Sequence, residues 1–286
     1  MFNLSHIEPV DYLVIGHLTQ DLTPDGSLLG GTAAYAGLTA KAFGWRVGIV
    51  SSTAAMIDLS KLDGIPVASY TSDYSTTFEN INTPAGRVQY LHHTAAKLDL
   101  SMVPETWRNA KIVHLGPVAQ EVEPTMIRAF PEALIGVTPQ GWLRSWDKNK
   151  RIHSTEWPEA TYVLQQANAA VLSIEDVQGN EDRIEEMVSS IRILVVTEGA
   201  AGCRLYWNGD LRRFRAPYEV EVDPIGAGDI FAASFFSRLY TTRDPWEAAR
   251  FATQLASISV TRSGLLGIPT TEEIKDRLYE MVNHSE

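Results

Sequence analysis

Short apolar runs closed by glycine or by a small polar residue recur along the chain. VDYLVIG (10–16), RVGIVS (46–51), KIVHLG (111–116), ALIGV (133–137), AAVLS (169–173) and ILVVT (193–197) lack the polar alternation of a half-exposed strand. Each therefore predicts a strand buried on both faces, the pattern of a parallel sheet. Between the first two runs, Gly30 and Gly31 precede TAAYAGLTAKAF, an alanine-rich stretch that Gly44 stops, as a helix with glycine just past its end. Strand, helix and strand make a βαβ unit with a right-handed crossover. From Ile65 to Leu98 the period changes: VASYTSDYSTTFENINT and RVQYLHHTA are rich in Thr, Tyr, Phe and Val and flank Pro84-Ala85-Gly86. They predict a hairpin or small antiparallel sheet, a second layer or lid over the main sheet. EDRIEEMVSSI has helical character, and residues 202–215 predict a hairpin turning at Asn208-Gly209. Residues 226–239 are apolar on nearly every side, which predicts a buried helix. Asp244-Pro245 starts another, and Thr270 with Glu273 forms a capping box for the last. The pattern describes one α/β domain over residues 1–286, a three-layer α/β/α arrangement with a mainly parallel central sheet and a small β lid from about 17–31 and 65–98.

Composition narrows the partners. The 286 residues are 44% hydrophobic and 21% charged, ordinary for a globular chain with a sizeable core. Lys and Arg number 24 against 35 Asp and Glu, a net charge of −11 with no basic patch, so nucleic acid is not an expected partner. The single cysteine, Cys203, has no partner for an internal disulfide, which fits a reducing cytoplasm. No basic segment precedes the first apolar run and none approaches the roughly 18 residues of a membrane span, so neither export nor a membrane is expected.

DPIGAGDIF (223–231) carries the chemistry. Gly226 and Gly228 flank Ala227 at the start of the buried helix, where bare N–H groups and the helix dipole make an anion site. Asp229 in the first turn puts a carboxylate beside that anion, the pairing that phosphoryl transfer to a hydroxyl needs. On spacing alone the segment is equally a tight loop with a capping aspartate.

The nine residues resemble the C-terminal signature of the ribokinase-like sugar kinases, the phosphofructokinase-B family, written D-T-x-G-A-G-D-x-F. Further motifs follow in that family's order between residues 10 and 269. VIGHLTQD places Asp21 at the family's lid-strand aspartate, and Gly30-Gly31-Thr32-Ala33-Ala34-Tyr35 matches its paired glycines before an alanine-rich helix. Thr197, Gly199 and Gly202 match T-x-G-x-x-G, and FATQLASISVTRSG matches the helix before its last glycine loop. The resemblance implies a ribokinase-like fold and an ATP-dependent kinase acting on a hydroxyl of a small sugar, polyol, cyclitol or nucleoside. Asp229 would be the general base, with Gly226, Ala227 and Gly228 as anion hole. It implies acceptor contacts at Asp21, Gly30, Gly31, Thr32 and Tyr35, and nucleotide contacts at Thr197, Gly199, Gly202, Gly226, Gly228, Ser263 and Gly264. The family's N-x-x-E segment, which helps organise Mg2+, appears as Ser173-Ile174-Glu175-Asp176, making Asp176 and Glu175 the metal candidates. Relatives pair their lids, so a homodimer through the lid is expected.

Other candidates come from position. Thr138-Pro139-Gln140-Gly141-Trp142-Leu143-Arg144 follows a strand, where open α/β sheets place ligands, and makes Gln140, Trp142 and Arg144 candidates for the acceptor pocket, with Trp142 and Trp146 packing a loop as the alternative. Asn80 and Gln89 are polar residues of the lid, and Arg87 is either a solvated lid charge or a contact to the transferred phosphate. His92 and His93 point to opposite faces of a strand, so a shared metal is not expected. Pro224 and Ile225 stand where the signature carries threonines. Proline donates no N–H, and the change bears on an adjoining monovalent-cation site, an optional further cofactor. The family's G-D-D-x-x-G is missing from SSTAAMIDLSKLDGI, which leaves the acceptor pocket open. GGTAAY and QGWLRSWD resemble plant inositol kinases and keep a cyclitol in view. A non-catalytic sugar or nucleotide sensor is the alternative outside enzymes, and a vitamin or hydroxymethylpyrimidine kinase the alternative within them. Asp229 beside an intact Gly-Ala-Gly favours an enzyme, and the lid with Asp21 favours a sugar-like acceptor.

Overall fold

The computed structural model describes residues 8–24, 26–83 and 86–283, without the side chains of 82, 83, 86, 87 and 281–283. The Pro84-Ala85 turn and the side chain of Arg87 lie outside the described residues. The chain opens with β1 (Tyr12–Ile15), leaves the main layer through β2 (Thr19–Thr23) and β3 (Gly26–Gly30), and returns through α1 (Thr32–Ala42) to β4 (Val47–Thr53) and β5 (Val67–Thr71). A second excursion, β6 (Thr76–Thr83) and β7 (Gly86–His93), precedes β8 (Ile112–Leu115) and β9 (Leu134–Val137). Next come the hairpin β10 (Arg144–Trp146) and β11 (Ile152–Ser154), α2 (Ala160–Leu164), β12 (Ala169–Ser173), α3 (Glu181–Ser190) and β13 (Ile193–Thr197). The hairpin β14 (Cys203–Trp207) and β15 (Asp210–Phe214) and the helices α4 (Ala227–Thr242), α5 (Pro245–Ser259) and α6 (Thr271–Asn283) complete the chain.

The nine-stranded main sheet runs β15-β14-β13-β12-β9-β8-β1-β4-β5. From β5 to β13 all neighbours pair in parallel, and β14 and β15 add an antiparallel edge. Period-two alternation sends successive residues of one strand to opposite layers. Tyr12 and Val14 join α1, α4 and α5 in one core, while Leu13 and Ile15 join Trp107, Phe130, α2 and α3 in the other. The apolar runs are thus buried on both faces, as their composition requires. The expected hairpin turns at Asn208 and Gly209, both at positive φ (53° and 83°). Asp244 caps α5 through the N–H groups of Trp246 and Glu247, and Thr270 and Glu273 close the expected capping box.

The lid is a separate four-stranded sheet, β3-β2-β6-β7. Two features differ from expectation. Val67–Thr71 extends the main sheet by pairing in parallel with β4, so the second lid segment starts at Thr76 and not at 65. The β2–β6 pair is parallel, because the chain goes through α1, β4 and β5 before returning to the lid. The three-residue strands β10 and β11 are too short to show a period and had no sequence signal. They hold the lid to the body, with Leu91 N–H donating to Lys150 O at 2.9 Å.

Candidate active site

Strand order reverses about β1: the chain crosses to β4 on one side and later to β8 on the other, so the loops after β1 and β8 diverge and open a crevice at their carboxyl ends. The two strands end in Gly16 and Gly116, so close that a Cβ on Gly16 would lie 2.3 Å from Gly116 O. Glu121, buried, accepts from the N–H groups of His17, Val118 and Ala119 at 2.7–3.0 Å and ties the diverging loops together. At the root of the lid, Ala95 N–H donates to Thr76 Oγ1 (3.0 Å), Thr76 pairs with His17 Nδ1 (2.6 Å), and His17 Nε2 pairs with Ala96 O (2.9 Å).

The amino end of α4 faces this crevice. Asp223 shapes the turn, accepting from Ile225 N–H (3.0 Å), Gly264 N–H (2.8 Å) and Ser263 Oγ (3.2 Å). Gly226 has φ 82°, and a Cβ there would stand 2.2 Å from the Tyr35 ring. Only glycine fits both demands. Ala227 N–H is taken by Pro224 O at 3.2 Å, whereas Gly228 is open, with nothing within 4 Å of an added Cβ. Gly228 and Asp229 belong to the first turn, whose N–H groups have no carbonyl partner within the helix. Asp229 is half-buried, and Thr32 Oγ1 donates to its Oδ1 at 2.7 Å. Burial pushes its pKa up to about 6 against the Thr32 bond and the Arg144 charge, while Asp176 and Asp21 add to the rise. Tyr35 is buried against the same turn, and burial together with Asp21, Asp229 and Asp223 raises its hydroxyl pKa.

Across the crevice, strand register assembles the lid side. Asp21 lies opposite Leu28 on β3 and Phe78 on β6, and Asn80 lies opposite Gln89 on β7, so these residues share one face. Asp21 accepts from Thr19 Oγ1 at 3.1 Å. Gly30 and Gly31 are close approaches: added Cβ atoms would meet Asp21 Oδ2 at 2.3 Å and His17 O at 2.5 Å. Gln89 Nε2 donates to Asn80 Oδ1 (2.7 Å), and Arg144 Nη2 donates to Gln89 Oε1 (3.2 Å). The Arg144 guanidinium lies 5.7 Å over the Phe78 ring and donates to Val118 O at 3.3 Å. Arg144, an acceptor-pocket candidate from its place after β9, lowers the pKa of both Asp176 and Asp229. Its only sequence signal is its place just after β9, at the end of QGWLR.

Gln140 Nε2 donates to Asp176 Oδ1 (3.2 Å), and Ser173 N–H donates to Oδ2 (2.9 Å). Burial raises the Asp176 pKa against these donors and Arg144. Glu175 is exposed, and among the described residues no cluster of three His, Cys, Asp or Glu side chains is arranged to hold an ion. His92 bonds Glu79 (2.8 Å), while His93 stacks on Tyr74, so the two histidines take separate partners. On the α4 side, Thr197 ends β13, and Gly199 (φ 57°) is open. Gly202 (φ 100°) has a structural demand, because an added Cβ would collide with Phe214 O at 1.9 Å. Val220, Val222 and Leu266 are exposed apolar residues; Val222 N–H donates to Val260 O (2.8 Å) and Leu266 N–H to Ser263 O (3.1 Å). Cys203 is buried against Thr253 Oγ1 (3.4 Å), and burial pushes its thiol up to about 11. Among the described residues no helix is long and apolar enough to cross a membrane.

A family model described as pfkB family carbohydrate kinase matches residues 143–271. Fructokinase-2 of Zea mays is 27% identical over 205 residues, 64% of this chain and 59% of the maize protein. The chain thus aligns with about three fifths of that relative's length. Inositol 3-kinase of Oryza sativa subsp. japonica is 40% identical over 77 residues, 27% of this chain and 19% of the rice protein. Among solved structures, a pyrophosphate-dependent kinase in the ribokinase family, complexed with a pyrophosphate analogue and myo-inositol, superposes with a TM-score of 0.78 at 19% identity. That match covers 92% of this chain and 99% of the other. Arabidopsis thaliana ribokinase, complexed with ribose and ATP, superposes with a TM-score of 0.73 at 16% identity over 95% of this chain and 99% of that one. These likenesses, with the signature glycines at the amino end of α4 and the lid beside the switch point, give the chain a ribokinase-like fold whose residues 143–271 are similar to the pfkB carbohydrate kinases.

Proposed function

We propose that the protein is a kinase that transfers the γ-phosphoryl group of ATP to a hydroxyl of a small sugar or cyclitol. Asp229 carries the proposal: it is a half-buried carboxylate with a pKa pushed up to about 6, in the first turn of α4 beside the open Gly228. A base is most effective when its pKa lies near working pH. The acceptor oxygen attacks the γ-phosphorus as the bond to the β–γ bridging oxygen breaks, ADP leaves, and Asp229 takes the acceptor proton as the new bond forms. Gly226, Ala227 and Gly228 present the start of the α4 dipole to the phosphates, with the free N–H contacts at Gly228 and beyond. Thr197, Gly199, Gly202, Ser263 and Gly264 border the nucleoside, and exposed Val220, Val222 and Leu266 suit an apolar base. Asp176, with Glu175 beside it in the chain, would hold a Mg2+ ion. When bound, that ion supplies charge neutralisation on the phosphates. Asp21, Asn80, Gln89 and Gln140 offer polar contacts to acceptor hydroxyls, with Gly30, Gly31 and Tyr35 shaping the pocket. Arg144 gives the crevice a cation among its carboxylates. Leu22 and Ile81 are exposed on the lid and suit a homodimer, which light scattering tests. Cys203, buried as a free thiol, suits a reducing cytoplasm.

The deciding experiment offers sugars, inositols and nucleosides with Mg2+ and either ATP or pyrophosphate, and follows phosphorylated product. ATP-dependent product from one acceptor class is expected. Product from pyrophosphate alone would reassign the donor, and affinity for an acceptor without product from any pair would favour the sensor.

A further inference from the structure

Thr32 stands where the sequence motifs expect an acceptor contact, and its surroundings point to another task. It is the first residue of α1, is 2% exposed, and commits its one hydroxyl proton to Asp229 Oδ1 at 2.7 Å across 197 positions of sequence. Packing fixes its rotamer from behind, since a Cβ added to Gly116 would lie 2.5 Å from Thr32 Cγ2 and 3.3 Å from Thr138 Oγ1. The methyl group of Thr32 fills the space that Gly116 leaves. Thr138 is itself held, its Oγ1 paired with His114 Nε2 at 3.0 Å, and His114 Nδ1 pairs with the Tyr12 hydroxyl at 3.2 Å. His114 is fully buried, and burial pushes its pKa down to about 3, so this support keeps one charge state across the neutral range.

We propose that Thr32 is a positioning residue for the general base: it holds the Asp229 carboxylate in one orientation through Oδ1, leaves Oδ2 for the acceptor hydroxyl, and joins the amino ends of α1 and α4. The inference rests on the base assignment for Asp229. The charged and titratable groups facing Asp229 are Asp21 on β2, Tyr35 on α1, Asp176 after β12 and Arg144 on β10. Thr32 is the neutral donor in direct contact. Its bond fixes direction as well as charge, because a hydrogen bond is directional where a field is not. Its bond favours the ionised carboxylate and opposes the rise that burial causes.

The test uses Thr32→Val, which keeps shape and removes the donor, and Thr32→Ser, which returns it. Gly116→Ala is an independent probe that displaces Thr32 without changing its chemistry. Carbon-13 carboxyl NMR follows the titration of Asp229, assigned by its loss in Asp229→Asn. In parallel, kcat and acceptor KM are measured across pH. In Thr32→Val and Gly116→Ala the Asp229 titration is expected to move to higher pH, and the acid limb of the rate profile to move with it. At neutral pH kcat should fall about 10-fold with acceptor KM unchanged, the loss of one hydrogen bond to a charged group. Thr32→Ser should restore both. An unmoved titration, or a raised acceptor KM with intact kcat, would overturn the proposal. A titration that moves while the rate profile stays put would keep the contact and overturn Asp229 as the base.

Discussion

The two walls of the crevice are built by different devices. The α4 wall is one contiguous segment in which backbone does the work: Gly226 at φ 82° packs on the Tyr35 ring, Asp223 ties the turn to Gly264, and the first N–H groups of the helix face outward. The lid wall has no such segment. Asp21, Asn80, Gln89 and Arg144 come from β2, β6, β7 and β10 and meet only because strand register and the β10–β11 hairpin bring them to one face. A backbone wall recognises what every phosphoryl donor shares, whereas a side-chain wall changes with each substitution. Under the proposed function this division assigns donor chemistry to α4 and acceptor choice to the lid.

The largest effect is expected where the walls meet. Asp229→Asn keeps the shape and removes the proposed base, so kcat should fall on the order of 10²–10⁴-fold with donor affinity nearly unchanged, as steady-state kinetics and calorimetry will read. The next effect separates two glycines of one turn. Gly226→Ala forces a Cβ toward the Tyr35 ring at a positive φ, and should cost about 2–4 kcal/mol of stability in denaturant unfolding. Gly228→Ala meets open space and sits in a helix, so the unfolding midpoint should hold while donor affinity falls about 10-fold. Equal destabilisation by both would break the claim that Gly228 is reserved for the ligand.

The same contrast governs what was legible in the sequence. The α4 wall was readable because a backbone device needs glycines and an acidic residue at fixed local spacing, and DPIGAGDIF carries them in order. The doubly buried strands were readable because parallel pairing requires continuous apolar runs. Asp21 and the glycine pair came through the same local motifs. Glu121 did not, and Arg144 did only by its place after β9 and not by its partner, since their partners lie at the loops after β1 and β8 and at Gln89, and no local period records such pairings. The sequence pattern places Val67–Thr71 with the lid because VASYT is polar and aromatic like its neighbours. It is an edge strand, exposed along its second half, and composition does not separate an exposed edge of one sheet from a strand of another.

Acceptor selectivity should give way at the lid wall with a smaller change. Gln89→Leu removes the link between Asn80 and Arg144, and acceptor KM should rise about 10-fold with little change in donor KM. A rise in donor KM instead would place Gln89 on the other wall and break the division.

The smallest effect belongs to the opposite end of the main sheet. Asp11 precedes β1 and bonds Arg46 (2.7 Å) and Lys111 (3.0 Å), two cations on the neighbouring chain segments, and the Arg46 bond leads in holding its pKa well below the usual carboxylate range. A depressed pKa means the unfolded chain binds the proton more tightly, so the stabilisation is fully present above the unfolded value of about 3.9 and is lost as pH falls below it. Both cations are more than half exposed, which screens the pair, so the stabilisation is about 1 kcal/mol. Asp11→Asn should lower stability by that amount at pH 7, approach the parent in urea unfolding only as pH falls below about 3 toward the depressed folded value, and leave kcat and both KM values unchanged. A change in kcat would mean that the far end of β1 is felt at the crevice, and the two-wall division would no longer account for the site alone.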